Sequence, residues 1–365
     1  MSASETVSSG PFKFISQGAI VQEWLVGGKN IVLGFQDPAE YAKSNPAYFG
    51  ATIGRVANRL ANGQIKDIPH EGDVHPLPVN NGTNTLHGGI TGWDKKYWTG
   101  PVKEASLDGS ESLVYSYKSP HLDEKFPGTL DVTVRYTVRS EVKDGADVSI
   151  LEIEYEAEIA ADSPEDWAVL SLTNHSYFNI GDGSTIEGTQ VLYISYKSFW
   201  ITDALFPPLV TIPDNTNIET DEVDIPTGRF KKFPGIESGV PFELGAEDPD
   251  IDHGFALTTD VASVPIDTRG SVEKTCIKLY HPSTGVNLVV SSTEPAFQFY
   301  TGKYIETEAR DDGTPAYGKR AGFCVEPARY TNAANVPEWK HMVLLKKGDV
   351  YGSRTTWKAW KSSSF

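Results

Sequence analysis

From residue 113 to 160 the chain carries its clearest pattern, an alternation of apolar and polar side chains with a period of two. Leu130, Val132, Val134, Tyr136 and Val138 alternate with Asp131, Thr133, Arg135, Thr137 and Arg139. Leu151, Ile153, Tyr155, Ala157 and Ile159 alternate with Glu152, Glu154, Glu156 and Glu158. Successive side chains of a strand point to opposite faces, so both runs read as half-buried antiparallel strands with one face in water. The glutamate row is then a solvated face, not a metal site.

The rest of the chain supports the same class. Phe12 to Phe35 reads as two short strands around the hairpin signal Gly27-Gly28-Lys29-Asn30. Residues 184–250 read as further strands separated by Pro-rich loops such as Phe206-Pro207-Pro208, followed by strands at Cys276 to Tyr280 and Val286 to Val290. Met342 to Tyr351 resembles one more strand pair. An amphipathic helix of three turns and a Gly/Ser linker are both lacking. The expectation is an all-β fold: one large antiparallel β-sandwich domain over residues 1–365, with residues 1–10 as a flexible tail.

Composition narrows the partners. A formal charge of −17 would repel nucleic acid and anionic membranes, so neither is expected as a partner. Two cysteines, Cys276 and Cys324, make no disulfide framework and no CxxC metal pair, which suggests a reducing compartment. The start has neither a basic stretch nor an apolar core, and nothing reaches membrane-spanning length. The cytoplasm is the expected location, and no obligate protein partner is evident.

Against this scaffold, several segments spend polar residues where a structural strand would not. In Ser171-Leu172-Thr173-Asn174-His175-Ser176-Tyr177-Phe178-Asn179, read as one strand running into a turn, Ser171, Thr173, His175, Tyr177 and Asn179 share a face. Such a face suits the lining of a cleft. Tyr48 to Gly63 holds Arg55, Asn58, Arg59 and Asn62 among glycines, an irregular segment presenting donors. Asn80 to Trp93 is a turn-rich loop that brings His87 and backbone close to a ligand, and the nearby Trp93, Tyr97 and Trp98 could stack on a sugar ring.

Three further clusters stand at strand edges. Asp252 begins an apolar strand with His253 on the opposite face, and the preceding acidic run fails as a calcium loop, with His253 and Thr259 where glycine and a carboxylate belong. In Glu294 to Gly302, Ala296, Gln298 and Tyr300 alternate with Phe297 and Phe299. Glu326 shares a face with Cys324, and Pro327 keeps it extended. A histidine, a strand-end glutamate and surrounding Asn, Arg, His, Asp and Gln donors make a plausible acid/base pair in a polyol-binding cleft.

Taken together, GATIGRVANRLANG, NNGTNTLHGG, LTNHSYFNI, DHGFAL, EPAFQFYTG, GFCVE and LLKKGDVYGSRTTW resemble the aldose 1-epimerases, or galactose mutarotases, in order and over roughly residues 30 to 357. The resemblance implies that family's large β-sandwich, the galactose mutarotase-like supersandwich. It also implies interconversion of α and β anomers of a free aldose such as glucose or galactose, with no cofactor and no metal. By motif position, His175 would be the general acid at the ring oxygen and Glu326 the general base at the C1 hydroxyl. Asn58, Arg59, His87, Asp252 and Gln298 would hold sugar hydroxyls, with Tyr177 beside them. Imidazole, at a pKa of about 6.5, can give and take a proton near neutrality.

One segment departs from the family pattern. After Glu326 the usual Thr-Gln pair is replaced by Pro327-Ala328-Arg329, which leaves the adjoining wall and the sugar preference open. Two alternatives stay beside this reading. A hexose-6-phosphate 1-epimerase would need converging arginines, for which Arg55, Arg59, Arg329 and Arg354 are available. A non-catalytic sugar-binding domain would have little use for both His175 and Glu326. A glycoside hydrolase would need two carboxylates, and here a histidine takes one of those places.

Overall fold

A computed structural model of the chain describes residues 5–105, 110–143, 145–194, 215–238 and 240–362. The two alternating runs are the antiparallel strands Leu130–Lys143 and Ala146–Ile159, in register from Leu130 opposite Ile159 to Lys143 opposite Ala146. They lie within a nine-stranded antiparallel sheet. Its spatial order is Thr99–Ala105, Glu111–Ser119, Leu130–Lys143, Ala146–Ile159, Val350–Lys361, Val286–Ser292, Lys274–His281, Thr189–Ile194 and Phe242–Leu244. The glutamate row stays on the solvent side, where Arg139 pairs with Glu152 at 3.2 Å and Arg269 with Glu156.

A second sheet has six strands in the order Tyr177–Phe178, Phe323–Ala328, Ala296–Tyr300, Asp252–Ala256, Thr216–Thr220 and Pro226–Lys232. Phe255, Phe297, Phe299, Phe323 and Val325 from this sheet join Leu151, Ile153, Leu288, Val290 and Trp357 from the large one in a common buried core. Each such side chain contributes about 1.5–3 kcal/mol on burial, enough to let the opposite face of the small sheet carry polar groups. This two-sheet packing is the expected all-β sandwich.

Three local expectations are corrected. Thr6–Ser9 is a strand paired with Phe12–Ile15, and Val7 packs against the core, so the tail expected over residues 1–10 is ordered from Thr6 onward. Leu344–Lys346 and Val350–Lys361 do not pair with each other. The first pairs with Trp167–Val169 and the second fills the gap between Ala146–Ile159 and Val286–Ser292, because Tyr351, Trp357 and Ala359 belong to the main core.

The polar run at 171–179 is not one strand but lies between and within the short pieces Trp167–Val169, Thr173–Asn174 and Tyr177–Phe178. Asn174 breaks it: its side-chain oxygen accepts from the backbone and hydroxyl of Ser176 at 3.0 and 2.7 Å, and its amide donates to Gly50 O at 2.8 Å. Elsewhere the hairpin at Gly27-Gly28 forms as expected, with both glycines at positive φ and Val26 opposite Lys29. Phe206-Pro207-Pro208 lies outside the described residues. Among the described residues the α-helical content is the single turn-and-a-half Pro38–Lys43, and no helix is long and apolar enough to cross a membrane.

Candidate active site

The alternation that turns Phe297, Phe299, Phe323 and Val325 into the core sends Gln298, Tyr300, Cys324 and Glu326 to the other face. Strand register converts that face into a grid. Gly254, Gln298 and Glu326 stand opposite one another across three strands, and Asp252, Tyr300, Cys324 and Tyr177 form the next row across four. Gln298 donates to Asp252 Oδ1 at 2.7 Å. Glu326 is extended ahead of Pro327, as expected.

His175 reaches this grid from the interrupted strand. Its N–H donates to Ala51 O at 2.8 Å and its carbonyl accepts from Gly50 N–H at 3.1 Å, which fixes the backbone against residues 50–51. The ring places Nε2 at 3.5 Å from Glu326 Oε2, with both side chains buried. His87 arrives on the Asn/Gly loop at a φ of 50°, and Asn80 braces that loop by bonding both backbone groups of Leu86 and the carbonyl of Gly89. The ring of His87 lies 5.0 Å from that of His175 and 4.8 Å from that of Tyr48.

Arg59 is held from several sides. Its Nε donates to Asn81 Oδ1 at 3.2 Å, its Nη2 lies 3.2 Å from Asp224 Oδ2, and its N–H donates to Asn58 Oδ1 at 2.8 Å.

Burial governs the charges here. It lowers the His175 imidazole to about 4, and it pushes the Glu326 carboxyl well above the usual carboxylate range, with the Asp252 charge adding to that rise. Both shifts disfavour the ionic form, so the adjacent pair favours holding one proton between two neutral groups and titrates as a unit. Burial, and then the neighbouring His175, Arg59 and Lys95, drive His87 well below its ordinary value, so it is neutral. Asp252 is raised by burial, against the opposing influence of Gln298 and Arg59.

All eight residues singled out from sequence border one cavity of about 410 Å³: Asn58, Arg59, His87, His175, Tyr177, Asp252, Gln298 and Glu326. The volume suits a small organic ligand, for which sites of roughly 300–1,000 Å³ are usual. The cavity also draws on Tyr48, Asn81, Tyr300, Tyr304 and Glu306, which sequence reasoning missed. Tyr300 was recoverable, since the alternation places it on the face of Gln298. Tyr48 gave no signal beyond its place at the head of the glycine-rich segment, and Tyr304 and Glu306 lie in an irregular turn with no pattern.

The expected aromatic platform is corrected. Trp93 and Trp98 are core residues, Tyr97 is half exposed, and none of the three lines the cavity. Trp93 covers Gly54 so closely that a Cβ there would sit 2.0 Å from the indole, and its ring meets Trp98 and Tyr117 edge-on at 5.8 Å. The tryptophan thus anchors the end of the loop.

Three of these groups stand close enough together to share a metal ion. His87, His175 and Glu326 each offer a ligand atom within 4.8 Å of the others. A metal needs an unprotonated nitrogen from each imidazole. Neutral His87 accepts the Asn58 N–H at Nδ1, 3.2 Å away, so its proton is on Nε2 and neither nitrogen has a lone pair to give. His87 is in this arrangement a hydrogen-bond donor.

Nor do arginines converge as a phosphate site requires. Arg55 is spent on Ser119 and the carbonyls of Pro120, Phe126 and Pro127, and Arg329 on Glu294 and the carbonyls of Ile266, Met342 and Gly352. Arg354 stands opposite Glu154 in the large sheet. Of the four, Arg59 alone lines the main cavity.

Known proteins share this arrangement of sequence and fold. The chain is 34% identical over 336 residues to the galactose mutarotase of Sus scrofa, covering 90% of this chain and 83% of that protein. It is 34% identical over 349 residues to the bifunctional protein gal10 of Schizosaccharomyces pombe, covering 93% of this chain but only 42% of that longer protein. Among solved structures, a GalM/aldose epimerase homologue from C. elegans superposes with a TM-score of 0.75 at 22% identity, covering 98% of this chain and 99% of that one. A galactose 1-epimerase from Lactobacillus acidophilus gives 0.73 at 20% identity, with 98% and 94% covered. Residues 8–358 match the sequence model for aldose 1-epimerase, and the chain belongs to that family.

Proposed function

We propose that the protein is an aldose 1-epimerase that interconverts the α and β anomers of a free hexose by acid/base ring opening. The observation that carries this reading is the 3.5 Å contact between His175 Nε2 and Glu326 Oε2 on the wall of a cavity that Asn58, Arg59, His87, Asp252 and Gln298 also line. A bound pyranose would lay its C1 hydroxyl and ring oxygen over that pair. The C1 hydroxyl donating to Glu326 and the ring oxygen accepting from His175 both favour the ionic form of the pair, so the shared proton passes to the imidazole.

Glu326 then takes the C1 hydroxyl proton as His175 gives its Nε2 proton to O5. The C1–O5 bond breaks and leaves an aldehyde at C1. Rotation about C1–C2 presents the other face. On closure His175 takes the O5 proton back and Glu326 returns its proton to the new C1 hydroxyl, so no proton is gained or lost over a cycle.

Ring opening converts a buried ion pair into two neutral groups, the arrangement that burial favours. The open-chain stage is stabilised by the same desolvation that makes the ionic stage costly. His87, Asn58, Arg59, Asp252 and Gln298 hold sugar hydroxyls in this scheme, and Tyr177 packs beneath. Acidic lining at Asp252 and Glu306, with Arg59 as the one cavity arginine, favours an uncharged hexose over a hexose phosphate. The whole chain acts as one catalytic domain in the cytoplasm, a reading supported by the family match over residues 8–358 and by two free cysteines.

The test is polarimetry. Purified protein should speed the optical-rotation decay of fresh α-D-glucose or α-D-galactose above the spontaneous rate. Hexose binding without any acceleration would favour a non-catalytic sugar-binding domain.

A further inference from the structure

The Nδ1 atom of His175 faces the sulfur of Cys324 at 3.6 Å. Cys324 is fully buried, sits two residues before Glu326 on the same strand face, and stands opposite Tyr177. The mechanism above gives this contact a consequence, because it specifies which nitrogen does the chemistry. Nε2 is the atom beside Glu326. An imidazole that gives its Nε2 proton and later takes one back must keep its other proton on Nδ1 throughout. Were Nδ1 bare, loss of the Nε2 proton would leave an imidazolate, which is out of reach near neutrality.

We propose that Cys324 is a positioning residue for His175: its sulfur accepts the Nδ1 proton, so the imidazole exchanges protons with the sugar at Nε2 alone. The proposal rests on the mutarotase reading. A thiol suits the place. Burial, and then the Glu326 charge, push its ionisation well above the ordinary range, so it remains a neutral, weak acceptor. A carboxylate there would hold the imidazolium tightly and blunt it as an acid, whereas sulfur fixes the ring without that penalty. The other groups around the contact are Tyr177, Tyr300 and Asp252 in the same row, Glu326 on the same strand, and the rings of Tyr48 and His87.

Nitrogen NMR of the imidazole-labelled wild-type protein near pH 7 reads the tautomer directly, with the His175 signals assigned by their loss in His175→Gln. A proton on Nδ1 is expected, and a bare Nδ1 overturns the proposal. Cys324→Ala leaves a buried N–H without its acceptor and should lower kcat by about tenfold at nearly constant KM. Cys324→Ser restores an acceptor and should recover most of that loss. Cys324→Asp should move the acid limb of kcat/KM upward by about one to three pH units. Full kcat in Cys324→Ala, or a loss that serine does not recover, also overturns the proposal. An inactive wild-type protein would remove the mutarotase reading and leave the tautomer result standing. An active one with a bare Nδ1 would do the reverse.

Discussion

Replacing Glu326 by glutamine isolates the proton-accepting step. The amide keeps the volume of the carboxyl and one acceptor oxygen, so contacts with Gln298 opposite and with His175 at 3.5 Å can persist. What it loses is the capacity to take a proton from the C1 hydroxyl. Positioned general-base catalysis contributes about 10²–10⁴ in rate, which is about 2.7–5.4 kcal/mol at 1.36 kcal/mol per tenfold. The imidazole also loses the partner with which it shares a proton, so the true figure belongs in the upper part of that span.

Folding should be little affected, because burial disfavours the charged form of the Glu326 carboxyl and the amide keeps its volume. The prediction is therefore a kcat at least about a hundredfold lower, with KM and Tm close to wild type. The assay is the decay of optical rotation of fresh α-D-galactose, with the spontaneous rate subtracted, alongside a thermal melt. A loss of less than about tenfold at an unchanged Tm would refute Glu326 as the base. His175→Gln should resemble it, and the double variant should lose little more than either single one, since the two act as a unit.

Acid should spare the enzyme longer than a free imidazole would allow. Burial lowers His175 to about 4, so the second proton that silences the pair binds only near that pH. The free-enzyme kcat/KM should then stay level as pH falls through 6.5, and an acid limb centred at 6.5 would show that His175 is not desolvated. Arg59→Ala should raise KM for hexose by roughly tenfold or more with little change in Tm, as a charged hydrogen-bond donor to substrate is lost. Free glucose should exceed glucose 6-phosphate in kcat/KM, and the opposite ranking would sink the uncharged-hexose reading. Arg329→Met leaves Glu294 buried and unpaired, a defect that costs about 3–5 kcal/mol, so a clear drop in Tm is expected on a thermal melt.

How much of this was readable beforehand depends on the range of the interactions involved. The strands 130–143 and 146–159 were legible because their burial pattern is written in consecutive residues. The eight predicted cavity residues were reached by motif resemblance. Period-two alternation independently put Gln298 on its polar face and Glu326 beside Cys324, and the same rule would have supplied Tyr300. Side-chain hydrogen bonds that interrupt a strand leave no periodic trace, so the break at Asn174 was missed. Strand partners far apart in sequence were equally hidden: Val350–Lys361 pairs with strands ending at residue 159 and beginning at residue 286, not with its neighbour in the chain. Trp93 was misjudged because an aromatic beside a glycine loop looks the same whether it faces a ligand or plugs the core.

The departure from the family pattern after Glu326 also becomes intelligible at long range. Arg329 does not line the main cavity; its guanidinium pairs with Glu294 and stacks on Tyr351 at 4.8 Å. The Tyr351 hydroxyl accepts from the Leu172 N–H at 3.0 Å and lies 3.4 Å from Glu294. A buried chain of polar contacts thus runs from three residues after Glu326 to three residues before His175. Those two side chains come from different segments, and their 3.5 Å contact depends on how those segments are spaced. A surface ion pair would set that spacing weakly, being screened and mobile. A desolvated pair is poor as a source of net stability but strict about geometry, since any shift strands a charge in the core. Arg329 thus ties the segment after Glu326 to the segment before His175 through Glu294 and Tyr351.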